Sequence, residues 1–444
     1  MPSIPVANCA EPEPFPTNPQ QQMTSMQLTH RYGVVVYGAR DHYQVQLALH
    51  EVGALERVFT DLYAPHWMIS LAKQVAPLVE RRLRMRHHPE LKARYFSGDY
   101  LRLQVLFRYL NWRGYPIAQQ NEIADDRCAK RAARYVLRHP DMGLVCYSYY
   151  WREVAALRAA GHWNGPAVVF QVHPAPSQVK SIISRDRNLT GLSYLPEPEE
   201  LSKPKTDGEY IASLTYASGI IAASSFTAHG LVDWGIPAGK IRVVPYGLAG
   251  EQTPDLSMQS GRRGIEQRPL RLLWVGQLAY RKAPHHLFEA VRRFPPDQVE
   301  LNIVSRSAVP SELRALIPPN VRILDQITND ERRAMYRSHH LFVLPSLVEG
   351  FGLVYAEALA EGLPILATPN SGAPDIITPG IEGFIVAPGS ADTIAEAIEL
   401  CLKDPSLLPA MSRAARIAAS QWTWEQFRSG IRNSLAAFEQ ASLM

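Results

Sequence analysis

The chain has 444 residues, with 46 Lys plus Arg against 42 Asp plus Glu, for a formal net charge of +4. That length suits two domains and a core large enough to need no metal or disulfide to hold it, and the charge is too mild to point to a partner by itself. The four cysteines, Cys9, Cys128, Cys146 and Cys401, stand far apart without a CxxC pair, which argues against a disulfide framework or a cysteine zinc site and for a reducing, cytoplasmic setting.

The first 29 residues, rich in Pro and Gln, lack a basic stretch followed by an apolar run. They read as a disordered tail rather than a signal peptide. A short β-branched run from Val34 to Tyr37 ends at Gly38 and leads into a helical pattern, giving strand, turn and helix. A long basic helical region then covers about 68–113. "GLVCYSYY" (143–150), "PAVVFQVHP" (166–174) and "KIRVVPYGL" (240–248) read as buried strands, and "SGIIAASSFTAHGLVDWG" (218–235) as a strand followed by a helix. The stretch Ile211 to Val232 lacks Asp, Glu, Lys and Arg but carries Ser, Thr, Gly and His, which excludes a membrane span.

A polar, turn-rich linker over 251–268 separates this first domain, 30–250, from a second, 269–420. In the second, "LRLLWVGQL" (270–278), "VELNIVS" (299–305), "VRILDQI" (321–327), "HHLFVLPS" (339–346), "LPILATP" (363–369) and "GFIVAPG" (383–389) read as strands. Helices fall between them, one from about Pro284, one from about Leu353 and one over "ADTIAEAIELCLKD". Short apolar strands alternating with helices predict an α/β protein of two Rossmann-like, doubly wound domains facing a cleft, with ligands at the carboxyl ends of the strands.

The stretch "VEGFGLVYAEALAEGLP" (348–364) sits at such an end. Gly350 and Gly352 let the backbone approach a ligand, and the amides of Phe351 to Leu353 at a helix start suit a phosphate. Glu349 there suits a sugar hydroxyl, and Glu357, near the second turn, suits the vicinal diol of a ribose. Alone, the pair reads more readily as solvated helix charges. Two further loops share that edge of the sheet: "GQLAYRKA", whose Arg281 and Lys282 suit a diphosphate leaving group, and "TPNSGAPDII", where Gly372 offers more amides.

Together these motifs resemble glycosyltransferase family four, retaining enzymes of the GT-B fold. "EGFGLVYAEALA" matches the family's Glu-x7-Glu motif, "GQLAYRKA" its donor-phosphate segment, "IIAASSFTAHGLVDWGIPAGKIRVVPYGL" the approach to its interdomain hinge, and "TWEQF" the start of a last helix, 421–444, that returns to the N-terminal domain. The resemblance is strong over about 210–430 and weaker over 31–209. It implies donor-sugar contact by Glu349, ribose contact by Glu357, a diphosphate grip by Arg281 and Lys282, close approach of the N-terminal domain at Gly38, and an active-site role for His173 in "FQVHP". It implies a nucleotide-sugar donor as substrate, no cofactor and no catalytic metal, in keeping with the lack of any Asp-x-Asp. Two departures stand out: Gln277 where relatives carry Arg, and "GARD", with Ala39, in place of a double-glycine loop.

For the acceptor, the family resemblance suggests a glycan or a lipid-linked molecule. The region 68–113 carries Lys73, Arg81, Arg82, Arg84, Arg86, Lys92, Arg94, Arg102, Arg108 and Arg113 among Leu, Val and aromatic residues. It reads either as a surface resting on anionic headgroups at the inner membrane face or as a solvated helical face; nucleic acid is not expected without a recognised module. A sugar-nucleotide epimerase or hydrolase on the same fold, and a silent nucleotide-sugar-binding protein, remain as alternative functions.

Overall fold

The computed structural model describes residues 27–442 apart from 39, 76, 99, 195–206, 248–268 and 326. The proposed linker therefore lies outside the described residues, as does most of the N-terminal tail. The tail's last residue belongs to the fold, because Thr29 donates its backbone amide to Glu439 Oε2 at 2.8 Å.

The N-terminal sheet has strands β1 (Tyr32–Val35), β2 (Leu55–Phe59), β3 (Phe96–Ser97), β4 (Gly143–Tyr147), β5 (Ala167–Gln171), β6 (Gly219–Ala222) and β7 (Ile241–Val243). The C-terminal sheet has β8 (Leu270–Val275), β9 (Val299–Val304), β10 (Val321–Leu324), β11 (Leu341–Val343), β12 (Ile365–Ala367) and β13 (Gly383–Ile385). Their orders are β3-β2-β1-β4-β5-β6-β7 and β10-β9-β8-β11-β12-β13. Every pairing among them is parallel. Each sheet thus reverses its winding once, between β1 and β4 in the first and between β8 and β11 in the second. A crevice opens at such a reversal, beyond the carboxyl ends of the two strands.

Parallel strands covered on both faces must be apolar throughout. Val34, Val145, Val168 and Ile220 in one sheet, and Leu272, Trp274, Ile303 and Phe342 in the other, are fully buried. The last helix, Trp424–Ala441, starts on a capping box between Thr423 and Gln426. It then crosses to the N-terminal domain. Arg428 Nε lies 2.7 Å from Glu51, and Tyr32 donates to Glu439 Oε1 at 2.9 Å.

Three expectations need correction. The first strand begins two residues earlier than the β-branched run, at Tyr32. The basic region is no continuous helix: helices His66–Val75, Pro77–Arg84 and Tyr100–Trp112 are separated by a short 3-10 turn and β3. Pro77 opens the second of these helices, where a missing donor is tolerated, and Pro89 lies in the gap between the second and the third. Finally, β2 carries Glu56 and Arg57 in mid-strand, where Glu56 pairs with Arg31 at 2.7 Å and the Arg57 guanidinium sits 5.1 Å from the Tyr135 ring centre. Those charges hide it from a search for apolar runs.

Candidate functional site

The loops after β8 and β11 meet at the reversal of the C-terminal sheet. The first makes a tight turn at Tyr280–Lys282, and the second carries Glu349. Backbone bonds lock the two together, with Leu347 N donating to Arg281 O at 2.8 Å. The side chains then converge: Arg281 Nη1 lies 2.8 Å and Lys282 Nζ 3.1 Å from Glu349 Oε2. Glu349 and Lys282 are both buried. Burial alone would raise the carboxyl pKa, but the charges and hydrogen bonds of Arg281 and Lys282 outweigh it and hold Glu349 well below the usual carboxylate range. The result is one carboxylate between two cations, with Glu349 and Lys282 buried and Arg281 half-buried.

Behind Glu349 the chain passes Gly350, Phe351 and Gly352 into the helix Leu353–Ala360. Gly352 is left-handed, φ 88°, and as N-cap offers the first helical amides no side-chain acceptor of its own. Those amides carry the positive end of the helix dipole. Leu353 is exposed at the start of the helix, while Phe351 is buried with its ring centre 5.5 Å from that of Tyr246. Gly372 donates its amide to Phe351 O at 3.0 Å, so the third loop braces the second.

Gly350 is where the domains touch. A Cβ on Gly350 would lie 2.2 Å from Val172 O and 3.3 Å from His173 Nδ1. The loop after β5 therefore rests on the Glu349 loop, and His173, half-buried and edge-on to Tyr149, faces it. Ser224, the N-cap of helix Ser225–Asp233, donates to Gly350 O at 2.5 Å. Asp375 accepts from Ser225 N at 2.9 Å, and burial pushes its pKa up to about 6.

Glu357 stands apart from this triad. Its Oε2 accepts from Tyr336 OH at 2.9 Å, and its Oε1 lies 3.5 Å from Arg332. Gly38 is placed at the end of β1 in the N-terminal domain, where its amide donates to Asp61 Oδ1 at 2.9 Å and Arg86 Nη1 donates to the same oxygen at 2.6 Å. Gln277 is exposed in the loop after β8. Sequence reasoning missed Ser224 and Asp375, whose partners lie across the cleft. "SSFT" is an N-cap signal for the first, whereas nothing local marks the second.

Comparison with known proteins gives a consistent class. Residues 259–418 match the family model described as Glycosyl transferases group 1. D-inositol 3-phosphate glycosyltransferase of Pseudarthrobacter chlorophenolicus is 29% identical over 298 residues, covering 64% of this chain and 68% of that protein. A GDP-mannose-dependent monoacylated alpha-(1-6)-phosphatidylinositol monomannoside mannosyltransferase of Corynebacterium glutamicum is 31% identical over 151 residues, 32% of this chain and 39% of its own. Among solved structures, Anabaena Alr3699/HepE in complex with UDP-glucose superposes with a TM-score of 0.56 at 16% identity, covering 94% of this chain and 100% of that one. The fold and the loops at its two winding reversals define a two-domain GT-B protein. The match to the Glycosyl transferases group 1 model falls on its C-terminal domain.

Proposed function

We propose that the protein moves a sugar from a nucleotide-diphosphate sugar to a hydroxyl acceptor, with retention of configuration and without a catalytic metal. The observation that carries this reading is the buried triad Arg281, Lys282 and Glu349 at the winding reversal, facing His173. A diphosphate brings negative charge to two cations that share one carboxylate, and it gains more negative charge as the glycosidic bond breaks. Arg281 and Lys282 would stabilise that leaving charge, with help from the uncapped amides after Gly352. A carboxylate has about four lone-pair directions, so Glu349 can hold the cations and still accept from donor-sugar hydroxyls. His173 would position donor and acceptor on the face the diphosphate leaves, whose oxygen takes the acceptor proton. Glu357 would accept from the ribose in place of Tyr336.

The curated relatives named above act on an inositol phosphate and a phosphatidylinositol mannoside. They support a glycan or lipid-linked acceptor, in polysaccharide or glycolipid synthesis, for this chain. Its surface favours contact with anionic lipid. Trp67, Leu71, Val105, Tyr109 and Trp112 are exposed on the helices of the basic region and Met85 in the turn after the second, with Trp112 78% accessible. Lys73, Arg84, Arg108 and Arg113 are exposed there too. Large apolar groups beside cations suit insertion into headgroups better than solvation alone. Among the described residues no helix is long and apolar enough to cross a membrane. The test is a melting-temperature screen against UDP, GDP, ADP and dTDP, free and sugar-linked. One base should raise the transition by mass action, and Glu357→Ala should weaken that shift; no shift with any nucleotide overturns the donor reading.

A further inference from the structure

A second buried cluster lies on the other side of the Tyr280–Lys282 turn, where helix Pro176–Thr190 of the N-terminal domain meets helix Pro284–Val291 of the C-terminal domain. Asp186 projects from the first helix, and His285 and His286 from the second. His286 Nε2 lies 2.8 Å from Asp186 Oδ1, and His285 Nε2 lies 3.1 Å from Asp186 Oδ2. All three side chains are buried, and their ligand atoms fall within 4.8 Å of one another. The imidazole ring centres are 4.2 Å apart.

Two imidazoles and a carboxylate converging through Nε2 and oxygen form the donor set of a borderline divalent cation. The outer contacts suit ligation. Tyr194 OH is 2.5 Å from His285 Nδ1, so His285 can give its Nδ1 proton to that phenol oxygen and turn an Nε2 lone pair inward. Tyr280 donates to Asp186 Oδ2 at 2.8 Å and is itself 2.7 Å from Thr190 Oγ1, which fixes the carboxylate and places a further oxygen beside the cluster. Gly389 packs against the same point: a Cβ there would lie 3.0 Å from Asp186 Oδ1. A closed, buried surround of this kind fits a structural ion rather than one that turns over substrate.

We propose that Asp186, His285 and His286 form a binding site for zinc that pins the two domains together. The ion would replace the two imidazole–carboxylate hydrogen bonds with bonds to one centre, each histidine contributing a neutral Nε2. Because Tyr280 opens the turn that carries Arg281 and Lys282, the ion would also hold the donor cations at their present distance from the N-terminal domain.

The test uses the untagged full chain, freed of metal by chelation, and needs no nucleotide sugar; its outcome is thus independent of the donor reading. Dialysis against Zn²⁺ followed by elemental analysis should leave one zinc per wild-type chain. Asp186→Asn and His286→Gln should each weaken retention by at least about tenfold. Should those variants fold poorly, cobalt in the wild-type chain gives a second readout: visible d–d bands of imidazole–carboxylate ligation are expected. Wild-type chain that keeps no more zinc than the doubly substituted chain, or that shows only the spectrum of aqueous cobalt, overturns the proposal and leaves the three side chains as a hydrogen-bonded clasp.

Discussion

The two sheets share a winding order, and each places a buried carboxylate beside its reversal, yet the two junctions differ in charge. In the N-terminal domain Asp61 takes Arg86 and the Gly38 amide, one anion against one cation. In the C-terminal domain Glu349 takes both Arg281 and Lys282. A balanced pair is a structural brace whose net contribution is small once desolvation is counted. An extra cation in the same low-dielectric surround leaves an unmet demand for negative charge. On one scaffold, a single lysine separates a balanced pair from a carboxylate held by two cations.

The sharpest way to break that contrast is to remove the shared carboxylate. Glu349→Ala should abolish transfer, by at least about 10³-fold in kcat, while circular dichroism still reports the fold. The loss of the carboxylate beside the buried Lys282 should also cost on the order of 3 kcal/mol without ligand, part of which a bound nucleoside diphosphate should restore. Full activity in this variant would dissolve the site assignment. Lys282→Met makes the C-terminal junction resemble the N-terminal one, one cation to one carboxylate. We expect kcat to fall about 10²–10³-fold and the nucleotide-induced shift in melting temperature to shrink. Retention of both would mean that Arg281 and the helix amides suffice.

How far the sequence reveals these junctions follows from how local each one is. Glu349, Gly350, Gly352 and the helix start at Leu353 lie on one contiguous stretch, and Arg281 and Lys282 on another, so the C-terminal junction is readable as two motifs at strand ends. Its geometry was less plain: the cations meet Glu349 itself, a contact between residues 68 positions apart. The N-terminal junction is scattered. Asp61 follows a strand disguised by Glu56 and Arg57, and Arg86 lies in a segment that reads as a long basic helical region. Non-local partners such as Ser224 with Gly350, or Asp186 with His285, leave no periodicity, because they arise only when two domains pack.

Asp375 offers a smaller effect with a defined sign. Its pKa is pushed from 3.8 to about 6, chiefly by burial, where the N-terminal domain covers it at Ser225. The native state therefore holds the proton more tightly than the unfolded chain. Its contribution is fully favourable below about pH 4 and is lost as pH rises through about 6. Above that it costs on the order of 3 kcal/mol. Glu349 has the opposite sign: its lowered pKa stabilises above the unfolded value of 4.5 and that stability is lost on acidification. Asp375→Asn keeps an acceptor for Ser225 N but removes the charge. Melting temperatures of this variant should exceed wild type at pH 8 and converge with it at pH 4. Equal differences at both pH values would show that Asp375 does not titrate between them.

The smallest expected effect concerns the basic, aromatic surface of the N-terminal domain. Trp112→Ser removes the most exposed of the aromatic groups there, and Arg108→Ser a neighbouring exposed cation. Both lie on the helix Tyr100–Trp112, away from the donor triad, so nucleotide binding should be unchanged. Each cation near an anionic surface contributes about 1 kcal/mol. Arg108→Ser should therefore weaken sedimentation with phosphatidylserine vesicles about fivefold, and raised salt should reduce the difference through screening. Trp112→Ser should weaken it at any salt, because burial of an indole in the headgroup layer does not depend on ionic strength. Identical salt dependence of the two variants would mean that the aromatic group anchors nothing and that charge alone draws this face to lipid.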